Sequence, residues 1–420
     1  MATSHENWRE QLGLTGRRPS EFFSSHEEID RDDDPPPQAH VMRRAWVDMG
    51  LDGILCFDGI PVVYFKEVEE IDDDEARELQ RKLWNQGIAP LLLLITPWHV
   101  HVYSGLALPA KEGEPVSGKK RLVDTIDRVS DALELRDLAR SVEFGDFFKK
   151  HADSFNPKHR VDRHLLSNLD AARGKLQAEG ELKESVVHAL LGRIVFTCYL
   201  IDREIVNEEY LGSVTGWEAK RLLDLLEGRP ARDARDSLYE LFAQLRDDFN
   251  GDLFEGALEA EKLLIEEPHI DIIRRFLRGD DLVRGQMSLG FWAYDFSVIP
   301  IETISGIYEL FLGAEDEDAR RKSGAYYTPR FLAEVVIDLA LLGWKTFLDK
   351  RFLDPACGSG IFLVGIFNRL AEEWRRKNRK AENDERAASL IQGLRTTFPW
   401  VFWGFHGSCI GHNTIEKSQN

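Results

Sequence analysis

Residues Phe352-Leu353-Asp354-Pro355-Ala356-Cys357-Gly358-Ser359-Gly360-Ile361-Phe362 constrain this chain more than any other stretch. The run from Lys345 to Leu353, with Phe347, Leu348, Phe352 and Leu353 apolar, reads as a short strand. It breaks into a turn of small residues and re-enters a helix expected from Gly360 to about Arg376. Strand, glycine turn and helix in that order predict an α/β layer, in which ligands bind just beyond the carboxyl ends of strands. Asp354 stands at such an end. Gly358 and Gly360 allow bare backbone to approach a ligand, and the start of the helix offers free N–H groups to an anionic one. The helix carries Ile361, Phe362, Val364, Ile366, Phe367, Leu370 and Trp374 as its apolar set, and Arg375, Arg376, Lys377, Arg379 and Lys380 near its end, where positive charge is favourable.

A second string, Gly324-Ala325-Tyr326-Tyr327-Thr328-Pro329, precedes it. Thr328 suits a helix cap and Pro329 the first helical position. Phe331, Leu332, Val335, Val336, Leu339 and Leu342 then recur at helical spacing. Thr328 and Asp354 thus border adjacent elements and are expected at one site. A glycine turn alone is usually an ordinary strand-to-helix connection. The pair is more specific, since Asp354 follows Tyr327 by 27 residues.

Tyr-Tyr-Thr-Pro followed by Asp-Pro-Ala-Cys-Gly-Ser-Gly closely resembles the signature of adenine-N6 DNA methyltransferases. The resemblance is to the restriction-modification type (type IIG-like) in which methylase and nuclease share one polypeptide. It implies the start of a Rossmann-like class I methyltransferase domain using S-adenosyl-L-methionine. Asp354, Pro355, Ala356, Cys357, Gly358, Ser359 and Gly360 would cradle the methionine part of that cofactor. Tyr327, Thr328 and Pro329 would close over it, and Ile361 and Phe362 would pack beside it. Transfer to the exocyclic amine of adenine in double-stranded DNA would need the base flipped out of the stack; no metal is implied. The string Ile307-Tyr308-Glu309-Leu310-Phe311-Leu312 and the segment Leu200-Ile201-Asp202-Arg203 extend the resemblance over roughly residues 184–395.

Two parts of the family pattern are absent. The Asn-Pro-Pro-Tyr/Phe motif, whose polar groups hold the amine and whose ring stacks on the base, does not occur. Asp34-Pro35-Pro36-Pro37 lacks the ring and sits in an acidic, proline-rich stretch that reads as a linker. The acid that ends the next strand is missing too, because no Asp or Glu lies between Arg395 and Ile415. Catalytic residues are therefore assigned to none of these positions. The expectation is a chain that is truncated and inactive alone, by natural truncation, frameshift or fragmentation, or one completed by a second polypeptide. His406, Cys409 and His412 have metal-like spacing, but three ligands without a fourth carry no assignment.

With 420 residues, 43% of them hydrophobic, several domains with real cores are expected. No sequence run approaches the ~18 apolar residues of a membrane span. The four cysteines at 56, 198, 357 and 409 are scattered, which points to a reducing cytoplasm. The net charge of −19 opposes DNA binding by the whole surface. From Arg320 onward, however, 16 basic residues face 10 acidic ones, whereas the preceding part carries 38 basic and 63 acidic.

The fold class expected is α/β with a helical middle: a leader with little structure over 1–45, a nuclease-like α/β domain over 46–150, a helical domain over 151–318, and an incomplete methyltransferase domain over 319–420. In the second of these, Gly53–Phe57 and Pro61–Val68 flank the hairpin signal Asp58-Gly59. Asp73–Trp84 reads as helix, and Pro90–Thr96 and His99–Tyr103 as strands. His99 and His101 fall on one strand face, as a solvent-facing pair. The order resembles a restriction-nuclease fold, whose metal site needs an acid and then an acid-x-Lys triplet. Asp58 and Lys66 are weak metal-site candidates, because Tyr64 occupies the place of the second acid. Glu67 points to the opposite strand face from Lys66. Gly113 to Lys120 misses a phosphate loop, having Lys where Ser or Thr must reach Mg²⁺. In the helical part Leu182–Ile205, Ala219–Leu226, Asp236–Phe249 and Ile301–Leu312 read as helices.

The chain is thus expected to be the front portion of a site-specific adenine-N6 DNA methyltransferase of a restriction-modification or phage-defence system. The alternatives are a methylase subunit completed by a separate polypeptide, a non-catalytic DNA- or protein-interaction module, or a nuclease acting through residues 46–150.

Overall fold

The computed structural model describes residues 7–18, 21–31, 36, 38–111, 113–118, 120–249, 257–280, 282, 294–301, 303–304, 328, 330–346, 348, 350–354 and 360–377. The chain divides into two compact units. The first holds Met1–Leu165, Ala293–Ile304 and Asn368–Ala381, and the second Leu166–Trp292, Ser305–Phe367 and Glu382–Asn420.

A six-stranded sheet forms the centre of the first unit. Its strands β1 (Phe22–Phe23), β2 (Gly53–Phe57), β3 (Ile60–Glu67), β4 (Leu91–Ile95), β5 (His99–Ser104) and β6 (Leu122–Asp127) lie side by side in chain order. All neighbours are antiparallel except β3 and β4, which run parallel. Antiparallel strands can be joined by a tight turn, whereas a parallel pair needs a crossover, usually a helix. Asp73–Gln86 is that helix. The hairpin between β2 and β3 closes through Asp58 (φ 49°) and Gly59 (φ 75°). Two positive φ angles in succession make the turn whose twist matches its flanking strands, which is why Asp-Gly specifies it.

The period of two along each strand sorts side chains into two cores. Leu91, Leu93 and Ile95 of β4 join Val63, Phe65, Val100 and Val102 on one face; Leu92 and Leu94 join Ile54, Cys56 and Tyr64 on the other. Helix α1 (Trp8–Gln11), α5 (Ala132–Glu143) and α6 (Asp146–Lys150) cover the first face. Helices α2 (His26–Arg31), α3 (Ala39–Met49) and α4 (Asp73–Gln86) cover the second. Every residue of β4 is buried, each leucine contributing about 1.5–3 kcal/mol.

The segment expected to be a leader with little structure instead builds part of this unit. Trp8, Leu12 and Leu14 are buried in the α1 face. Trp8 stacks on Phe65 at 5.4 Å, and Phe22–Phe23 pairs with β2. The intervening charge hides isolated apolar residues that have partners only once the sheet exists.

The second unit is helical: α7 (Val161–Ala178, most of which lies in this unit), α8 (Glu184–Asp202), α9 (Glu208–Thr215), α10 (Ala231–Phe249), α11 (Leu258–Lys262) and α12 (Glu267–Arg278). α8 is long and apolar enough to cross a membrane by length and composition, but most of it is buried in the protein as a core helix. The helix expected over Ala219–Leu226 is only a short 3₁₀ turn, Leu222–Leu225. Arg193 of α8 is held by an ion pair with Glu261 at 2.6 Å, and Tyr239 donates its hydroxyl to the same carboxylate at 2.7 Å. The helix expected over Ile301–Leu312 lies mostly outside the described residues.

Candidate functional site

The described part of the predicted cofactor site consists of Thr328, α13 (Arg330–Leu341), Asp354, Gly360 and α14 (Ile361–Lys377). Tyr327, Pro329 and Pro355 to Ser359 lie outside the described residues, as do His406, Cys409 and His412. Gly360 has φ +77°, the left-handed region where a side chain would be strained. A Cβ built there meets none of the described residues within 4 Å. The helix starts at the next residue, and the amide of Val364 donates to the Gly360 carbonyl at 2.9 Å. The amides of the first turn thus have no helical partner and face the end where a helix dipole is positive. Asp354, Thr328 and Phe362 are each half-buried, and Ile361 is buried.

The strand expected from Lys345 to Leu353 is absent among the described residues, which run there as turn and irregular chain. Leu353 is 80% exposed, and Trp344 packs its ring against Phe352. α13 buries Ala333 and Ile337, but Leu332, Val335, Val336 and Leu339 stand exposed, with Leu342 just beyond. The apolar stripe predicted for this helix is therefore real and faces solvent.

Asp58 and Lys66 are not brought together. Asp58 is in the hairpin turn itself, and Lys66 is at the far end of β3, a separation of about 20 Å at the usual rise per strand residue. Lys66 instead donates to the Met49 carbonyl at 3.1 Å and pairs with Glu75 at 3.2 Å. Tyr64 is fully buried, its hydroxyl bonded to the Gln86 Oε1 at 2.5 Å. Glu67 faces the other side of the sheet, where its carboxylate accepts from the Trp8 Nε1 at 3.2 Å. Among the described residues no group of three His, Cys, Asp or Glu could hold a metal. Asp58 and Lys66, the weak metal-site candidates, thus stand at different ends of β3, and Lys66 is engaged by other partners. His99 and His101 do share a strand face, with rings 5.9 Å apart, and both are half-buried.

Residues 300–390 match the family described as N-6 DNA Methylase. Over 68 residues, 16% of the chain, it is 41% identical to a type I restriction enzyme MjaIX methylase subunit of Methanocaldococcus jannaschii, covering 11% of that protein. Over 273 residues, 58% of the chain, it is 26% identical to an adenine-specific methyltransferase, PglX, of Streptomyces coelicolor, covering 21% of that protein. The chain thus spans from about a tenth to about a fifth of the length of these curated relatives. No solved structure matches it significantly.

Proposed function

We infer, from the N-6 DNA methylase segment that residues 300–390 carry, that this chain supplies the cofactor-holding front of a DNA adenine-N6 methyltransferase from a restriction-modification or phage-defence system. The observation that carries the reading is Gly360. It lies in the matched segment, in a conformation glycine alone adopts easily, with none of the described residues within 4 Å of a Cβ built there and a helix beginning at the next residue. Those features fit S-adenosyl-L-methionine, whose carboxylate suits the amides of a helix start. Asp354 through Gly360 would hold the methionine part, with Tyr327, Thr328 and Pro329 beside it and Phe362 packed behind. The cofactor would supply an activated methyl group. The chain's own residues bind and orient it, and none of them is assigned to hold the adenine amine. Double-stranded DNA is the substrate, and a reducing cytoplasm suits the buried free thiols of Cys56 and Cys198.

A second polypeptide supplying the remaining methylase sheet and the target-reading part is the companion reading. The exposed stripe Leu332, Val335, Val336 and Leu339 favours it, because contiguous exposed apolar surface marks a contact site. Titrating the purified chain with S-adenosyl-L-methionine, and assaying transfer of labelled methyl to an adenine-containing duplex, tests both parts. Binding without transfer is expected. No binding would remove the cofactor assignment, and transfer by the chain alone would show that one of its own residues holds the adenine amine.

A further inference from the structure

Two arginines at the start of α10, in the helical unit, break an electrostatic rule. A helix start is its positive end, where acidic side chains are favourable and basic ones are not. Arg229 precedes Pro230 at that end, and Arg232 lies in the first turn, where Asp233 is the acid. Neither arginine forms an ion pair among the described residues. Their basic neighbours do: Lys220 pairs with Glu208 at 3.4 Å, Arg221 with Asp224 at 3.1 Å and Arg278 with Glu227 at 3.3 Å.

Arg229 is nonetheless held in place. Its guanidinium lies 4.0 Å over the Trp217 ring, an arrangement that suits a planar delocalised cation. Arg274 donates to the Arg229 carbonyl at 2.7 Å and to that of Leu226 at 2.8 Å. The Arg229 Nη1 is buried and meets no hydrogen-bond acceptor among the described residues. Trp217 is 47% exposed, and Arg232 is exposed. A Cβ built at Gly216 or at Gly228 meets none of the described residues within 4 Å.

We propose that Arg229 and Arg232 contact the phosphate backbone of DNA, with Trp217 orienting the first of them; the proposal rests on the DNA-substrate reading above. A guanidinium presents five N–H donors in a fork that fits a phosphate. Stacking on the indole fixes the plane of that fork in advance, so less side-chain freedom is lost on contact. A phosphate beside the two cations also turns an unfavourable cluster of like charge into a favourable one. Local rules broken without structural gain are expected where a ligand acts. Backbone contacts of this kind position DNA without reading its sequence.

The test titrates the full chain with a fluorescently labelled duplex at several salt concentrations. Arg229→Ala and Arg232→Ala are each expected to weaken binding by about tenfold, the scale of one charge-assisted hydrogen bond, and equally on duplexes of unrelated sequence. Each should also reduce the slope of log affinity against log salt by about one. Trp217→Ala keeps both charges and is expected to weaken binding, with Trp217→Phe recovering most of it. Lys220→Ala and Arg221→Ala remove equal charge from ion-paired surface positions, and are expected to change binding less than about twofold. Controls that weaken binding as much as the two arginine variants overturn the proposal. Wild-type binding whose strength and salt slope neither arginine variant alters overturns it too, and leaves the DNA reading standing. A wild-type chain that binds no duplex overturns both. Thermal midpoints are followed throughout; should Arg229→Ala unfold, Arg232→Ala, at an exposed position, decides.

Discussion

Lys66 donates its ammonium to the carbonyl oxygen of Met49, across the end of α3, and not to any carboxylate pair that could hold a divalent ion. Its side chain is a fastening between strand and helix. Lys66→Ala is expected to lower stability by about 1–2 kcal/mol, through a charge-assisted hydrogen bond and a helix-end interaction. It should leave any Mg²⁺-dependent cleavage of DNA by the chain unchanged at background. Denaturant unfolding and a plasmid-nicking assay check the two halves; cleavage abolished by the substitution would reinstate the nuclease reading.

Restoring the missing acid should not restore a metal site. Tyr64 is wholly enclosed between the sheet and its helices. Tyr64→Glu places a carboxyl in that core, at a cost of roughly 3 kcal/mol or more. Poor solubility or a sharply lower Tm is expected. A soluble, Mg²⁺-binding variant would contradict it.

In the helical unit, Glu261→Gln removes a carboxylate charge 2.6 Å from Arg193, whose side chain is only 3% exposed. The expected loss is about 3 kcal/mol, read as a fall in thermal midpoint. A change below about 0.5 kcal/mol, typical of surface sites, would show the pair to be dispensable.

Gly180→Ala meets a harder obstacle. A Cβ there would lie 2.3 Å from the His269 ring and 2.7 Å from the Leu176 carbonyl. His269 accepts from the Glu266 amide through Nδ1 at 2.7 Å, so its Nε2 carries the proton and donates to the Gly180 carbonyl at 2.8 Å. Overpacking of this kind costs about 1–3 kcal/mol, measurable by urea unfolding; a neutral result would mean the loop yields freely.

Acid should weaken the first unit before its carboxylates titrate. Burial, and then neighbouring His99, hold the His101 imidazole below its ordinary range. Burial does the same to His151, with Lys150 assisting and Asp124 and Glu134 opposing. The fold thus disfavours the charged form of both rings, while the unfolded chain protonates near pH 6.5. The unfolded state thus binds more protons as pH falls through 6.5, and stability drops. Tm is expected to be lower at pH 5.5 than at pH 7.5, with a shallower fall in His101→Gln. Equal slopes in the two proteins would exclude His101 as a cause.

The hairpin, the crossover helix and strands β4 and β5 were legible because each has its own local signal: Asp58-Gly59, an acidic cap before Ala76, and the unbroken Leu91–Ile95. The contribution of Trp8 and Phe22 was not, since each is a lone apolar residue in polar text whose partner, Phe65, lies more than forty positions away. The ion pair of Arg43 with Glu372 was invisible for the same reason, its members being separated by 329 positions. The strand expected before the glycine turn was not realised among the described residues, because pairing is decided by other strands and not by the run itself.

The two-residue strand Phe22–Phe23 has a practical meaning for anyone shortening the chain at its charged beginning. It occupies the outer rim of β2. Deleting it would bare a row of main-chain donors and acceptors, a template on which copies can stack edge to edge. A trimmed protein that precipitates would then report the loss of a shield, not a failure of the domain beneath it.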